Sequence, residues 1–193
     1  MLSKIFLYLD IPANQIRPPM KVFLKYSLFI LFLVAFTSKA FAQNDFRVAL
    51  SFDPKMKIYG PYDYSTSGEW NLLLRGAFKH KNFEYALFLE GFDAISYGAI
   101  GINVNYVFGI QDKQNRFDRW EFAVGPGYGV VLREELDVYE DIIEFNGDTR
   151  YFFNKNLGLQ LLGNLKYRSD LVEEYDEEDP WRLSAFFGLI YRW

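Results

Sequence analysis

The sequence predicts an all-β fold, a closed antiparallel eight-stranded transmembrane β-barrel over residues 43–193. Three observations predict it. After residue 43 the apolar residues recur with period two and keep phase for unusually long stretches. The segments run about nine to thirteen residues, against about five or six for ordinary strands and about nine to eleven for a tilted strand crossing a bilayer. Aromatics, 20% of the chain, gather at the ends of these segments, as rings do where they face lipid and headgroup together.

Ahead of the strands lies a targeting segment. Lys21 and Lys25 precede the apolar run Tyr26 to Phe36, and Ala40-Phe41-Ala42 has the form of a cleavage site. The run is about half the length a transmembrane helix needs. Residues 20–42 are therefore read as a signal peptide, with Met20 at a natural start and residues 1–19 as a possible upstream mis-start. Cleavage would remove Lys4, Arg17, Lys21, Lys25 and Lys39 but only one acid, Asp10, leaving a chain more acidic than the full-length net charge of -4. That balance argues against a nucleic-acid binder. The absence of Cys excludes disulfides and thiolate metal sites.

Eight strands follow in order. The first is Phe46 to Phe52, with Phe46, Val48, Leu50 and Phe52 on one face. A loop rich in Tyr, Gly, Pro and Ser separates it from Trp70 to Phe78, and His80-Lys81 form a tight turn to Phe83–Gly91. The fourth, Tyr97 to Phe108, carries Ile100, Ile102, Val104, Tyr106 and Phe108 in phase. The fifth, Trp120 to Leu132, contains Pro126, which removes a ladder donor and suggests a bulge. The sixth, about Ile143 to Phe153, alternates least clearly. The seventh is Leu157 to Tyr167 and the eighth Trp181 to Trp193. An even strand count returns both termini to one side, and closure is required because backbone amides cannot stay unpaired in lipid. Connections after strands two, four and six are short to moderate and those after one, five and seven longer, with Asp93–Ser96 a short exception, which puts the termini and turns on the periplasmic side and the longer loops outside.

The phase opposite the apolar one carries Arg47, Arg75, Glu84, Glu90, Glu121, Glu144, Asp148, Arg150, Lys166, Arg182 and Arg192. An eight-stranded barrel is just wide enough for side chains to fill it. Mixed charges inside must pair, since unpaired buried charges are costly, so the expected interior is an ion-paired, hydrated plug. Gly125, Gly127 and Gly129 are expected to make room for long Arg and Glu side chains. A soluble barrel would reverse the two faces.

The ending Phe187, Leu189, Tyr191, Trp193 resembles the C-terminal assembly signal of bacterial outer-membrane barrels, with Trp193 where that signal usually has Phe. In architecture residues 43–193 resemble the small eight-stranded barrels that include the membrane domain of the major structural outer-membrane protein and its short relatives. The resemblance implies insertion by the barrel-assembly machinery, outer-membrane lipid as the surroundings, and a structural or surface-interaction role toward an unknown extracellular ligand or surface.

Two alternatives compete with that role: a narrow porin-like channel and an envelope lipid-modifying enzyme. Enzymes of that kind want a His beside a Ser or carboxylate at the outer rim. The one His, His80, is expected in a periplasmic turn instead. Glu84 and Glu90 share the inner phase but lie about 20 Å apart along a strand, too far for a direct pair. No phosphate-binding, dinucleotide or zinc signature is present, so no cofactor and no metal centre is expected. The acidic loop Glu173, Glu174, Tyr175, Asp176, Glu177, Glu178, Asp179 is a candidate for weak cation contact, since hard ions take oxygen ligands, although it lacks calcium-loop spacing.

Overall fold

The structure is a computed structural model that describes residues 45–59, 70–92, 97–112, 117–133, 138–173, 176 and 178–193. The targeting segment lies outside the described residues. The strands are β1 (Asp45–Phe52), β2 (Asn71–His80), β3 (Phe83–Phe92), β4 (Tyr97–Asp112), β5 (Phe117–Arg133), β6 (Val138–Phe152), β7 (Leu157–Arg168) and β8 (Trp181–Arg192). Each pairs antiparallel with the next, and β1 pairs with β8 from Arg47↔Arg192 to Phe52↔Phe187, which closes the barrel. A last backbone bond, from the Trp193 N–H to the Phe46 carbonyl at 3.0 Å, extends that seam.

Several boundaries differ from the sequence expectation. His80 is not in a turn: it ends β2 opposite Phe83, and the reversal is Lys81-Asn82 with Lys81 at φ 56°. β6 begins at Val138, five residues earlier than expected, because Tyr139 and Asp141 continue the outward phase on a strand whose acidic residues blur the alternation. No bulge accommodates Pro126. The β4–β5 register runs unshifted past it from Asn103↔Gly127 to Tyr106↔Val124, and the irregularity falls at Ile110/Gln111 instead. Two stretches read as loop hold short helices, α1 (Pro54–Tyr59) and α2 (Ser169–Glu173). Six and five residues are too few to show a helical period, so tertiary packing and a cap decide them.

The two faces divide cleanly. Outward residues such as Ile102 (57% exposed), Leu183 (73%) and Leu189 (55%) stand open, while inward Glu84, Glu121 and Arg47 are at most 1% exposed. This inverts a soluble protein, which keeps Glu and Arg out of its interior. Aromatic rings band the outer face at both ends. Near the turns, Phe83–Tyr106 (5.7 Å), Phe108–Phe122 (5.4 Å), Trp120–Tyr151 (4.8 Å), Tyr151–Phe153 (5.6 Å) and Phe46–Trp193 (5.4 Å) follow one another around the barrel. At the other end Phe52 meets Trp70 (5.3 Å) and Tyr167 meets Trp181 (5.4 Å). Trp181 and Tyr191 bound β8. The strand between them, at roughly 3.3 Å per residue and a tilt near 40°, spans about 25 Å.

Lys81 is a non-glycine residue in the left-handed region, which costs an L side chain about 1 kcal/mol. Lys81→Gly relieves that strain but makes the unfolded chain freer. The expected net gain is about 0.5 kcal/mol, read as a higher urea midpoint for the folded protein in micelles, with no change in strand content by circular dichroism.

Candidate functional site

The lumen is the candidate site, because period-two strands deliver every inward side chain to one enclosed tube. At the turn end, four guanidinium groups meet the carboxylates. Arg47 donates to Glu121 at 2.5 and 3.2 Å, to Glu84 at 3.3 Å and to Asp45 at 2.8 and 2.6 Å. Arg75 bridges Glu84 (3.1 Å) and Asp148 (3.0 Å). Arg150 forks onto Glu84 (2.5 and 2.7 Å) and also reaches Asp148 (2.5 and 2.8 Å). Arg192 closes on Glu121 at 2.6 Å and on the Lys155 carbonyl, its guanidinium 3.8 Å from the Phe152 ring. Four arginines thus face Asp45, Glu84, Glu121 and Asp148, and Lys79 adds a further base 3.9 Å from Asp45. Planar forks hold carboxylates in fixed geometry, which explains why these bases are arginines and not lysines.

Toward the loop end a second, smaller group forms. Lys166 pairs with Glu90, which also accepts from Asn71 at 3.2 Å. Glu144 is held by the amides of Asn103 (2.5 Å) and Asn164 (3.4 Å). Beyond them Arg168 pairs with Asp170 and lies 4.5 Å from the Tyr97 ring.

The interior is not polar throughout, which corrects the expectation of a hydrated plug of charges. Leu73, Phe88, Leu162 and Phe186 belong to one buried apolar cluster. On its own strand each falls between residues of the two polar groups: Leu73 between Asn71 and Arg75, Phe88 between Glu84 and Glu90, Leu162 between Gln160 and Asn164. Phe92, Tyr97, Ala99, Val131 and Ile142 extend the cluster, and Met56 of α1 packs against it. The inner phase already holds these residues in the sequence. Their meaning is hidden because Phe88 or Leu162 beside an outward Leu reads only as an apolar run.

Two further observations concern named residues. Arg182 is half-buried, and its guanidinium donates to the Asp179 and Trp181 carbonyls at 2.7 and 2.9 Å. β8 ends its ladder there, so the side chain reaches the rim backbone. The glycines of β5 make room for amides and a ring more than for Arg. A Cβ on Gly127 would lie 2.1 Å from Asn103 Nδ2 and 2.9 Å from Glu144 Oε1, and one on Gly129 would lie 3.0 Å from the Phe88 ring. The bare Gly127 lets Asn103 of β4 reach Glu144 of β6 across the intervening strand.

Glu84 and Glu90 end in separate groups with the Phe88 ring between them along β3. His80 is exposed at the turn end. In the acidic loop, Glu174 and Glu177 lie outside the described residues. Asp179 accepts from the Trp181 N–H at 3.0 Å, and Glu173, Asp176 and Glu178 are exposed. Among the described residues no three His, Cys, Asp or Glu side chains converge as a metal centre. Phe187, Leu189, Tyr191 and Trp193 all stand on the outer face, and Trp193 packs on both Phe46 and Tyr191.

Uncharged polar residues, with Asp53, complete the lumen. Asn71, Asn103, Asn105, Asn146, Gln160 and Asn164 are buried, as is Asp53. Asp53 caps α1, accepting from the N–H groups of Lys55 (2.8 Å) and Met56 (3.3 Å). Burial pushes its carboxyl above the usual Asp range, against the lowering pull of those two amides.

No protein-family model and no curated protein matches the chain. Among solved structures it is similar to Neisserial surface protein A, at 7% identity and a TM-score of 0.43, over 77% of this chain and 93% of that one.

Glu84 is shared by Arg47, Arg75 and Arg150, so its loss strands buried cations. Glu84→Gln is expected to destabilise the folded barrel by about 3–5 kcal/mol, measured by urea unfolding in micelles. Exposed His80→Gln is expected to stay within about 0.5 kcal/mol of wild type.

Proposed function

We propose that this chain is a non-enzymatic barrel of the bacterial outer membrane with a closed interior, serving a structural or surface-interaction role. The observation that carries the reading is the inversion of the two faces around a closed ladder. A mostly apolar surface about 25 Å tall, edged by rings at both ends, suits hydrocarbon and is hard to reconcile with water. The seam between β1 and β8 supports the same reading, because it leaves no strand edge for lipid to meet.

The outward face carries one telling exception. Asp141 of β6 points outward and accepts from the Tyr128 hydroxyl at 2.6 Å. It lies three residues into the strand at the loop end, beside exposed Tyr139, where headgroups and water would surround it. The longer connections and the acidic loop would then face outward from the cell, with both termini periplasmic. Barrel-assembly machinery would read the aromatic ending of β8. The apolar layer through Phe88, Leu162 and Phe186 argues against a conducting path, since ions crossing it would shed their water.

Membrane fractions test the reading directly. The mature chain should sediment with outer membranes and migrate faster on gels before heating than after. A chain that stays soluble and monomeric without detergent overturns the proposal, and steady unitary conductance in planar bilayers overturns the closed interior. Ile102→Lys places a charge at mid-height on the outer face and is expected to cost about 2–4 kcal/mol in lipid, where a soluble barrel would tolerate it.

A further inference from the structure

Among the described side chains, the loop end of the lumen holds more buried acid than base. Asp53, Glu90, Glu144 and Asp170 are each at most 3% exposed, and the bases among them are Lys166 and Arg168. Lys166 is committed to Glu90 and Arg168 to Asp170. The turn end, where four arginines face four carboxylates, has no such surplus.

Among the buried oxygens at this end that accept no hydrogen bond from the described residues are Asp53 Oδ2 and Asn71 Oδ1. Their owners are neighbours, because the Asp53 N–H donates to the Asn71 carbonyl at 3.0 Å. The remaining atoms of both side chains are spent. Asp53 Oδ1 caps α1, and Asn71 Nδ2 donates to Glu90 at 3.2 Å. Rotating the Asn71 amide would offer its NH₂ to Asp53 but bring its oxygen against Glu90, so the described residues do not satisfy the group in either orientation. Buried acceptors without donors cost free energy, and the local charge adds to that cost. A positive partner that takes oxygen ligands would satisfy both oxygens and offset the charge that Glu90 adds beside Asp53.

We propose that Asp53 and Asn71 bind a hard divalent cation at the loop-end mouth of the barrel, beside Glu90. Magnesium keeps several waters beside one or two carboxylates, and calcium gathers roughly six to eight oxygens, so water would complete the shell for either ion. Because Asp53 also caps α1, the ion ties that helix, and Met56 with it, to the end of the barrel. The site rests on the lumen geometry alone and does not depend on which side of a membrane the loops face.

The test uses full-length folded protein in detergent micelles, stripped with chelator and titrated with magnesium chloride and calcium chloride separately. Saturable binding of one ion per chain is expected for at least one of them, with a Kd on the order of 10⁻⁴–10⁻³ M. Saturation should raise the temperature of the heat-modifiable gel transition by about 2–4 °C. Asp53→Asn keeps a competent helix cap but loses the charge and should abolish both effects, and Asn71→Ala should weaken binding at least tenfold. A variant carrying Glu173→Gln, Glu178→Gln and Asp179→Asn in the acidic loop should bind as wild type does. Absence of saturable binding by the wild-type protein overturns the proposal. So does a response that survives in Asp53→Asn, which would put the ion elsewhere. If Asp53→Asn does not fold, the titration of Asn71→Ala decides.

Discussion

Arg47, Arg75 and Arg150 approach one carboxylate, Glu84, from three different strands, and much of the barrel interior is organised by that meeting. A tube this narrow cannot hydrate four guanidinium groups separately, so each must find its counter-charge on another strand. The register of those strands is thereby tied to charge pairing as well as to backbone bonds. A slip of one residue would send Glu84 to the outer face and Leu87 or Tyr85 among the arginines. The same slip would bury aliphatic side chains against cations and expose carboxylates on an apolar surface, so both faces enforce one alignment.

The apolar layer complements that arrangement. Phe88 and Phe186 close the middle of the tube with rings, and Met56 reaches the same cluster from outside the strands. Along β3 the sequence Glu84, Ala86, Phe88, Glu90 therefore alternates chemistry on a single inward face: acid, small, ring, acid. Polar groups at either side of the layer make separate networks with different character. One is saturated with arginine forks. The other rests on carboxamides, with Lys166 as its one ammonium group among the described residues.

Much of this was legible in the chain itself, for a physical reason. Side chains on a strand alternate without exception, so Ile100, Ile102 and Val104 declare one face and Asn103 and Asn105 the other as soon as the strand is recognised. Closure and strand number follow from length and from the need to pair every amide. What the sequence hid depends on distances across the tube. Which arginine meets which carboxylate is a matter of strand stagger, and nothing local links Arg47 to Glu121. The short helices escaped because Asp53 as a cap and Met56 as an anchor are single residues acting at a distance. Arg182 shares the inner parity, and its place at the end of a strand also lets its guanidinium reach the rim carbonyls, which parity alone does not show.

The first strand and the last share one ladder, and Arg47 and Arg192, directly opposite each other in it, both lean on Glu121 of β5. Every other ladder joins neighbours in the chain. This one joins its two ends. Until β8 takes its place the ring gapes, with β1 and β7 as raw edges and Glu121 holding one of its two seam arginines. Closing it is a single step in which β8 meets two edges at once, and that step brings Arg47 and Arg192 onto the same carboxylate.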